Sequence, residues 1–181
     1  MRNLITILIS LFCVQIYAPP ANRQNEINVY SIYLADYKRQ QYDQFRNAIA
    51  HKESRMNPAI YNDIGCIGLY QFGYSARKAT GYKHIKTKAF IKNPSIWPKE
   101  DQNKAMDSLI KRNEVRLNSI ISKAPYQFEG CNITKSGILA AAHLAGWFNV
   151  AKHFEDREHN PNDKNGTYLE DYLIAYSGFE F

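Results

Sequence analysis

The stretch that decides the fold is Ala50–Phe72, AHKESRMNPAIYNDIGCIGLYQF. The residues before it predict a helix, because apolar side chains such as Phe45 and Ile49 recur at helical spacing. Glu53 follows on the same stripe, which puts its carboxylate at the inner end of the apolar face. Pro58 cannot continue a helix, so a loop is expected soon after the glutamate.

A carboxylate in this place loses hydration, and lost hydration favours its protonated form. A general acid needs that form near neutral pH. From this feature alone, an exposed glutamate at a fraying helix end is the alternative. Asp63 is the nearest second carboxylate in the loop, and its segment Asn62-Asp63-Ile64-Gly65 also fits an ordinary turn.

Hydrophobic periodicity predicts a mostly helical protein with little β structure. A capping-box pattern, Thr167 to Glu170, opens the last helix. Residues 57–68 are expected to form a loop or small hairpin and residues 83–98 to be irregular, whereas residues 28–41 fit either helix or strand. The predicted helices cover residues 42–52, 68–78, 99–121, 134–154 and 167–176.

The N-terminus, residues 1–21, is expected to be a signal peptide for export. Arg2 precedes an uncharged apolar run at residues 4–18, LITILISLFCVQIYA, which is shorter than a membrane span requires. A retained anchor is one alternative, and a lipoprotein attached through Cys13 is another.

The remaining chain is expected to be one domain, residues 28–181, after a polar leader at residues 22–27. The 181 residues carry a formal net charge of +6. A basic exported protein is attracted to anionic cell walls, membrane surfaces or nucleic acid, and a mixed solvated surface is the plainer interpretation. Basic residues alternate with acids throughout, so binding to nucleic acid is not expected.

Three motifs carry a resemblance: Glu53-Ser54, Gly68-Leu69-Tyr70-Gln71 and Ala141-Ala142-His143-Leu144-Ala145-Gly146. In this order they resemble the catalytic region of lytic transglycosylases and goose-type lysozymes. Tyr172-Leu173 is similar to the closing element of that family. The sequence departs from the pattern where Leu144 replaces an asparagine, His143 a tyrosine and Tyr70 a methionine.

The resemblance implies a single compact helical domain of the lysozyme-like α+β type, with a small loop or β-hairpin region beside the active-site groove. It implies peptidoglycan glycan strands as the substrate, without a cofactor or metal. Glu53 would act as general acid and base on the β-1,4 bond between N-acetylmuramic acid and N-acetylglucosamine. A transglycosylase needs no second carboxylate, whereas a hydrolysing muramidase on the same fold uses one.

The resemblance also suggests substrate-binding residues beside the acid. Gly68 and Gln71 would line the groove, and the Gln71 amide can donate to and accept from a sugar or pack within the loop. Tyr70 would stack on a sugar ring or pack in the core.

Three further residues have two interpretations each. Ser54 would form a hydrogen bond with Glu53 or cap the helix end. His143 would contact substrate or be a satisfied core histidine. Tyr172 would orient Glu53 or pack against the last helix.

Two other patterns in the sequence have a structural interpretation. Cys66 and Cys131 form an even pair in an exported chain, so a disulfide between them is possible. Asp163-Lys164-Asn165-Gly166 resembles a calcium loop, but Pro161 occupies a ligand position and a turn is expected instead.

Two functions compete with an enzyme: a non-catalytic glycan-binding module on the same fold, and a basic adaptor for nucleic acid or an envelope complex. Small wall-cutting enzymes often serve a larger secretion or conjugation assembly, although no residue pattern shows such a partner. The expected protein is therefore a periplasmic or envelope-associated monomer.

Overall fold

The computed structural model describes the backbone of residues 20–181 and the side chains from Glu26 onward. The chain divides into two compact units, of which the first ends at Gln40 and the second comprises residues 41–181. The expected signal peptide lies outside the described residues apart from Pro20 and Ala21. Within the described residues, no helix is long and apolar enough to cross a membrane.

The first helix, α1, is Pro20–Ser54. It confirms the helix predicted at residues 42–52 and resolves residues 28–41 as helical. The helix ends where Arg55 and Met56 adopt left-handed conformations, with φ of 52° and 66°. The Met56 amide then donates to the Ala50 carbonyl, which closes the helix end.

The site loop, residues 57–73, follows α1 and contains only isolated bridges, Tyr61 with Ile67 and Ile67 with Phe72. The predicted loop is therefore confirmed. Helix α2 is Tyr74–Ala79, shorter than the expected 68–78 and shifted toward the C-terminus. Residues 83–98 are more regular than predicted, since they contain helix α3, Thr87–Lys92, and a 3-10 turn, Pro94–Ile96.

The long helix predicted at 99–121 is two helices, α4 at Lys99–Arg116 and α5 at Asn118–Ile121, which meet at Leu117. An antiparallel hairpin follows, with β1 at Tyr126–Phe128 and β2 at Cys131–Ile133. The sequence analysis missed this hairpin because each strand has only three residues, too few to show an alternating pattern.

Three helices complete the fold: α6 at Lys135–Ala145, α7 at Trp147–Glu155 and α8 at Leu169–Ala175. A single helix over 134–154 was wrong, because Gly146 has φ of 85° and ends α6. The predicted capping box lies one residue off: the Asp171 carboxylate accepts from the Tyr168 amide at 2.7 Å.

Helix α6 forms the centre of the core and packs against α4, α7 and α8. Its residues from Ser136 to Ala142 are all buried. Gly137 allows α8 to approach closely: a Cβ there would lie 2.2 Å from the Leu173 carbonyl oxygen and 2.2 Å from Ser177 Oγ. The spacing of α6 and α8 therefore depends on a residue without a side chain.

Replacing Gly137 with alanine is expected to destabilise the protein by about 1–3 kcal/mol, because the backbone of α8 must move. Gly178→Ala is the matched control, since a Cβ at Gly178 meets nothing within 4 Å. Chemical denaturation of both variants measures the difference. Equal stabilities would contradict the close contact between the two helices.

Candidate functional site

A cleft of about 710 Å³ lies where α1 ends. Its floor is formed by the end of α1 and by α8, and its two walls are the site loop and the opposite wall, residues 156–168. From the floor come His51, Lys52, Glu53, Arg55 and Tyr172. From the walls come Ile60, Tyr61, Asn62, Gln71, Asp163, Lys164, Asn165 and Thr167.

Glu53 lies on the floor with its side chain 18% exposed. The Tyr172 hydroxyl donates a hydrogen bond of 2.8 Å to Glu53 Oε1. His143 Nε2 lies 3.9 Å from the same oxygen. No Lys or Arg is ion-paired with Glu53 among the described side chains, so the carboxyl group has no permanent cation beside it.

His143 is a neutral neighbour of Glu53. Its side chain is 7% exposed, and burial lowers its pKa against the opposing charge of Glu53. Its Nε2 is 3.1 Å from the Tyr70 carbonyl oxygen. Because a carbonyl only accepts, Nε2 carries the proton, and the buried Nδ1 has no hydrogen-bond partner. His143 is therefore a buried histidine beside Glu53, and its hydrogen bond to Tyr70 holds the site loop.

Tyr172 remains a phenol at any physiological pH. Burial raises its pKa most, and the charge and hydrogen bond of Glu53 raise it further. Burial, and secondarily Glu53, also raises the pKa of Tyr176 to about 12. The two rings lie 5.1 Å apart, so Tyr172 both packs with Tyr176 and orients Glu53. The hydrogen bond to Glu53 and the aromatic packing, which the sequence left as alternatives for Tyr172, are therefore both present.

Gln71 and Gly68 form the turn of the site loop that borders the cleft. Gln71 has φ of 48°, and its Nε2 donates to the Gly68 carbonyl at 2.9 Å. Gly68 has φ of +80°, and a Cβ there would lie 2.4 Å from Gln102 Oε1. Glycine is therefore needed at this position for both its conformation and its small size.

Two buried polar side chains anchor the site loop, and neither was singled out from the sequence. Gln102 is 0% exposed and its Oε1 accepts from the Leu69 amide. Its Nε2 donates to the carbonyls of Pro58 at 2.9 Å and Trp97 at 2.7 Å. An amide inside a polar helix gives no periodic signal, so only the fold reveals this role.

Arg77 is the second anchor and is 2% exposed. Its guanidinium donates to the Phe72 carbonyl and, at 2.9 Å, to Thr87 Oγ1. Thr87 Oγ1 in turn donates to the Gly65 carbonyl at 3.2 Å. The irregular backbone of the loop is therefore satisfied by side chains instead of by a sheet.

Two predicted substrate contacts have structural roles here. Tyr70 is 1% exposed and its hydroxyl donates to Asn103 Oδ1 at 2.8 Å, so the ring packs in the core and presents no face to the cleft. Ser54 is 4% exposed and donates to the Ala50 carbonyl at 2.9 Å, which closes the helix end.

Asp63 does not face the acid. Its side chain is 81% exposed and is ion-paired with Lys164, whose hydrogen bond and charge lower the Asp63 pKa. The pair joins the site loop to the opposite wall. Asp63 is the turn residue of the alternative interpretation, because the Asn62 carbonyl accepts from the Gly65 amide at 3.2 Å.

The considered disulfide is not formed: Cys66 and Cys131 are both free thiols. Each belongs to a separate local structure. The Cys66 amide donates to Asn62 Oδ1 at 2.9 Å in the site loop, and Cys131 pairs with Phe128 in the hairpin. Burial raises the pKa of the Cys66 thiol.

Asp163 is a carboxylate of the opposite wall that the sequence analysis treated only as part of a turn. The turn is confirmed, since Asp163 Oδ1 accepts from the amides of Asn165 at 2.8 Å and Thr167 at 2.9 Å. Asp163 is nevertheless one of the residues that line the cleft. Tyr61 was also missed; it is 50% exposed and lines the cleft from the site loop, whereas Tyr70 is buried.

No group of three or more His, Cys, Asp or Glu that could hold a metal ion occurs among the side chains from Glu26 onward.

Residues 32–97 match the family model described as Transglycosylase SLT domain. The matched segment covers less than half of the chain and includes Glu53 and the whole site loop. Searches of curated proteins and of solved structures gave no match. The match confirms the resemblance to lytic transglycosylases, and the mostly helical fold agrees with it.

An SLT domain supports a lytic-transglycosylase type of function in which peptidoglycan is cleaved. It implies peptidoglycan as the substrate and the cell envelope as the place of action. His143, Asp163 and Tyr172 lie outside the matched residues, so the family model says nothing about them.

Replacing Gln102 with alanine is expected to destabilise the protein by about 2 kcal/mol or more, because buried partners at Pro58, Leu69 and Trp97 lose their hydrogen bonds. Gln127→Ala, on the exposed face of β1, should change the free energy of unfolding by less than about 0.5 kcal/mol. Urea denaturation of both variants tests this. A Gln102 variant as stable as the Gln127 variant would show that the loop does not depend on this anchor.

Proposed function

We propose that the protein is a lytic transglycosylase that cleaves the β-1,4 bond between N-acetylmuramic acid and N-acetylglucosamine, with Glu53 as general acid and base. The observation that carries the proposal is the environment of Glu53. The carboxyl group lies on the floor of a wide cleft, accepts a hydrogen bond from Tyr172 and has no cationic partner among the described side chains.

The first step uses the protonated form of Glu53. Its proton passes to the glycosidic oxygen as the bond from that oxygen to C1 of N-acetylmuramic acid breaks. The N-acetylglucosamine unit leaves with a new hydroxyl group, and positive charge develops at C1. The substrate's own N-acetyl group can stabilise this charge, which removes the need for a protein nucleophile.

The second step uses the carboxylate that remains. Glu53 takes the proton of the C6 hydroxyl of the same sugar, and O6 attacks C1 to close a 1,6-anhydro ring. Glu53 is thereby protonated again, and no water is consumed. A single residue that alternates between acid and base suffices because the two proton transfers occur in sequence.

The neighbours of Glu53 suit this alternation. Tyr172 donates to Oε1 in both protonation states, since its own pKa is raised far above neutrality. His143 is neutral, so it does not hold Glu53 as a permanent carboxylate. Tyr61 and Gln71 lie on the wall beside it, where they can contact the faces and hydroxyl groups of the sugars.

Export through a signal in residues 1–21 would bring the enzyme to this substrate. Service to a larger secretion or conjugation assembly is proposed from the resemblance alone, and the cleft supports peptidoglycan as the substrate.

Hydrolysis by a muramidase mechanism is the second candidate, and Asp163 is the observation that favours it. An inverting hydrolase needs a second carboxylate that activates water across the sugar ring. Asp163 lines the cleft opposite Glu53, but its Oδ1 is already used by two backbone amides.

Glu53→Gln is expected to keep the fold and lower the rate of peptidoglycan cleavage by about 10²- to 10⁴-fold, because the amide has no transferable acid proton. Tyr172 can still donate to the amide oxygen, so stability should hold. Release of soluble fragments from purified sacculi measures the rate.

Glu155→Gln is the matched control, an exposed glutamate at the end of α7 outside the cleft, and it should cleave at the parent rate. If the folded Glu53 variant also cleaves at the parent rate, Glu53 is not the acid. If the parent protein binds glycan but releases no fragment, the protein is the non-catalytic binding module.

Mass spectrometry of the released fragments is expected to find 1,6-anhydro-N-acetylmuramic acid ends, each lighter by one water than a reducing end. Asp163→Asn and Asp63→Asn should both retain most of the activity. Reducing ends as the main product, together with a loss of activity confined to Asp163→Asn, would instead establish hydrolysis with Asp163 as the base.

A further inference from the structure

The opposite wall of the cleft is held in place by a polar cluster that the proposed chemistry does not use. The tip of the wall is closed by its own backbone, since the Asp163 amide donates to the Thr167 carbonyl at 2.9 Å. The Leu169 amide likewise donates to the Pro161 carbonyl at 2.9 Å. The tip therefore has internal hydrogen bonds, and its place beside the cleft depends on the residues that hold its base.

The base of the wall is tied to α8 and α7 through side chains. Glu170 Oε2 accepts from Asn160 Nδ2 at 2.6 Å, and the Glu170 amide donates to Asn160 Oδ1 at 3.2 Å. His159 Nε2 lies 2.9 Å from Asn149 Oδ1, on α7. A movement of Glu170 or of the side chains of α7 would therefore move the wall.

His153 lies at the centre of this cluster, on α7, and is 0% exposed. Its Nδ1 is 3.0 Å from the His159 carbonyl, which only accepts, so Nδ1 carries a proton. Its Nε2 is 3.1 Å from Arg157 Nη1, which only donates, so Nε2 carries none. The two neighbours thus fix a neutral ring. Burial is the largest cause of a lowered pKa at His153, and the charge of Arg157 lowers that pKa as well.

Glu170 Oε1 lies 3.5 Å from His153 Nε2 and has no contact with the ring proton in the neutral state. A proton on Nε2 would face the cationic donor Arg157 across 3.1 Å. The two groups would repel each other, and Nε2–H would turn to Glu170 as its acceptor. Because Glu170 also binds Asn160, protonation of His153 disturbs the side chain that fixes the base of the wall.

We propose that His153 is a positioning residue of the cleft: its neutral ring holds the opposite wall in place, and its protonation rearranges the wall and weakens glycan binding. This inference rests on the proposed function of the cleft. A buried core histidine without influence on the cleft is the structural alternative. The charged and titratable groups around His153 are Asp156, Arg157 and His159 of the wall, Glu170 of α8, and Glu129 of the hairpin turn, which acts on Glu170.

Binding is measured with the Glu53→Gln protein, because this change removes the titration of Glu53 and prevents cleavage of the ligand. Soluble glycan strands are titrated into it by calorimetry from about pH 8 to about pH 5, the range in which histidines change charge. Kd is expected to rise about tenfold toward the acidic end, as His153 gains its proton. A Kd that stays constant over this range would overturn the proposal.

Two further changes in that protein separate His153 from His143, the histidine beside Glu53. Arg157→Gln removes the cation that opposes protonation of His153, so the midpoint of the change in Kd should rise by about 1 pH unit. Glu170→Gln removes the anion that stabilises the charged ring, so the midpoint should fall by about 1 pH unit. Neither residue lines the cleft. Equal midpoints in both variants would overturn the proposal.

His84→Gln is the matched control for these variants. It replaces an exposed histidine outside the cleft and should leave the midpoint unchanged. His153→Gln, which cannot gain a charge in this range, should remove the dependence of Kd on pH.

Nuclear magnetic resonance of the parent protein follows the ring and the wall without any ligand. The His153 ring should titrate below the pH typical of an exposed histidine, and the amide signals of residues 163–167 should change with the same midpoint. A ring that stays neutral throughout, or wall signals that do not change as the ring titrates, would overturn the proposal. If the protein binds no glycan at any pH, the proposed function fails, and the coupled change of ring and wall alone decides the role of His153.

Discussion

The hydrogen bond from the Tyr172 hydroxyl to Glu53 Oε1 joins the end of α1 to α8 across 119 residues of sequence. Its length depends on where α8 lies, and α8 is positioned by close packing on α6. Gly137 sets that packing, because any side chain there would meet the Leu173 carbonyl. A tightly packed interface transmits small displacements, so the orientation of the carboxyl group is determined by a contact in the core far along the chain.

The site loop poses a different physical problem. It must be irregular to form a cleft wall, yet parts of it are buried, and buried backbone groups need hydrogen-bond partners. Gln102 and Arg77 supply them from inside the core. Burying a guanidinium is costly and lowers the pKa of Arg77, but its carbonyl partners and Thr87 offset that cost. The same loop receives the His143 Nε2–H at the Tyr70 carbonyl, which couples it to α6.

The sequence was sufficient for the helical class, the end of α1 and the glutamate at that end, because each follows from local periodicity or from a short motif. The boundary at Gly146 and the hairpin at residues 126–133 were missed, since one glycine and two short strands give little local signal. Tyr70 shows a further limit of prediction from a motif. The motif identifies the position of the residue, but whether its side chain is buried depends on the residues that pack around it. In the structure the ring centroids of Tyr70 and Phe72 are 5.9 Å apart. Asp163 and Tyr61 reach the cleft only through the tertiary fold.

The proposed mechanism requires one carboxyl group to serve in two protonation states, and the charges around Glu53 fit that requirement. A cation fixed beside Glu53 would favour the carboxylate throughout and hinder the first proton transfer. The immediate neighbours are accordingly a phenol and a neutral imidazole. The cations that line the cleft, Lys52, Arg55 and Lys164, have exposed side chains, where solvent and salt weaken their effect on Glu53. The hydrogen bond from Tyr172 and the neutral imidazole of His143 are therefore the contacts that define the surroundings of Glu53 in the proposed mechanism.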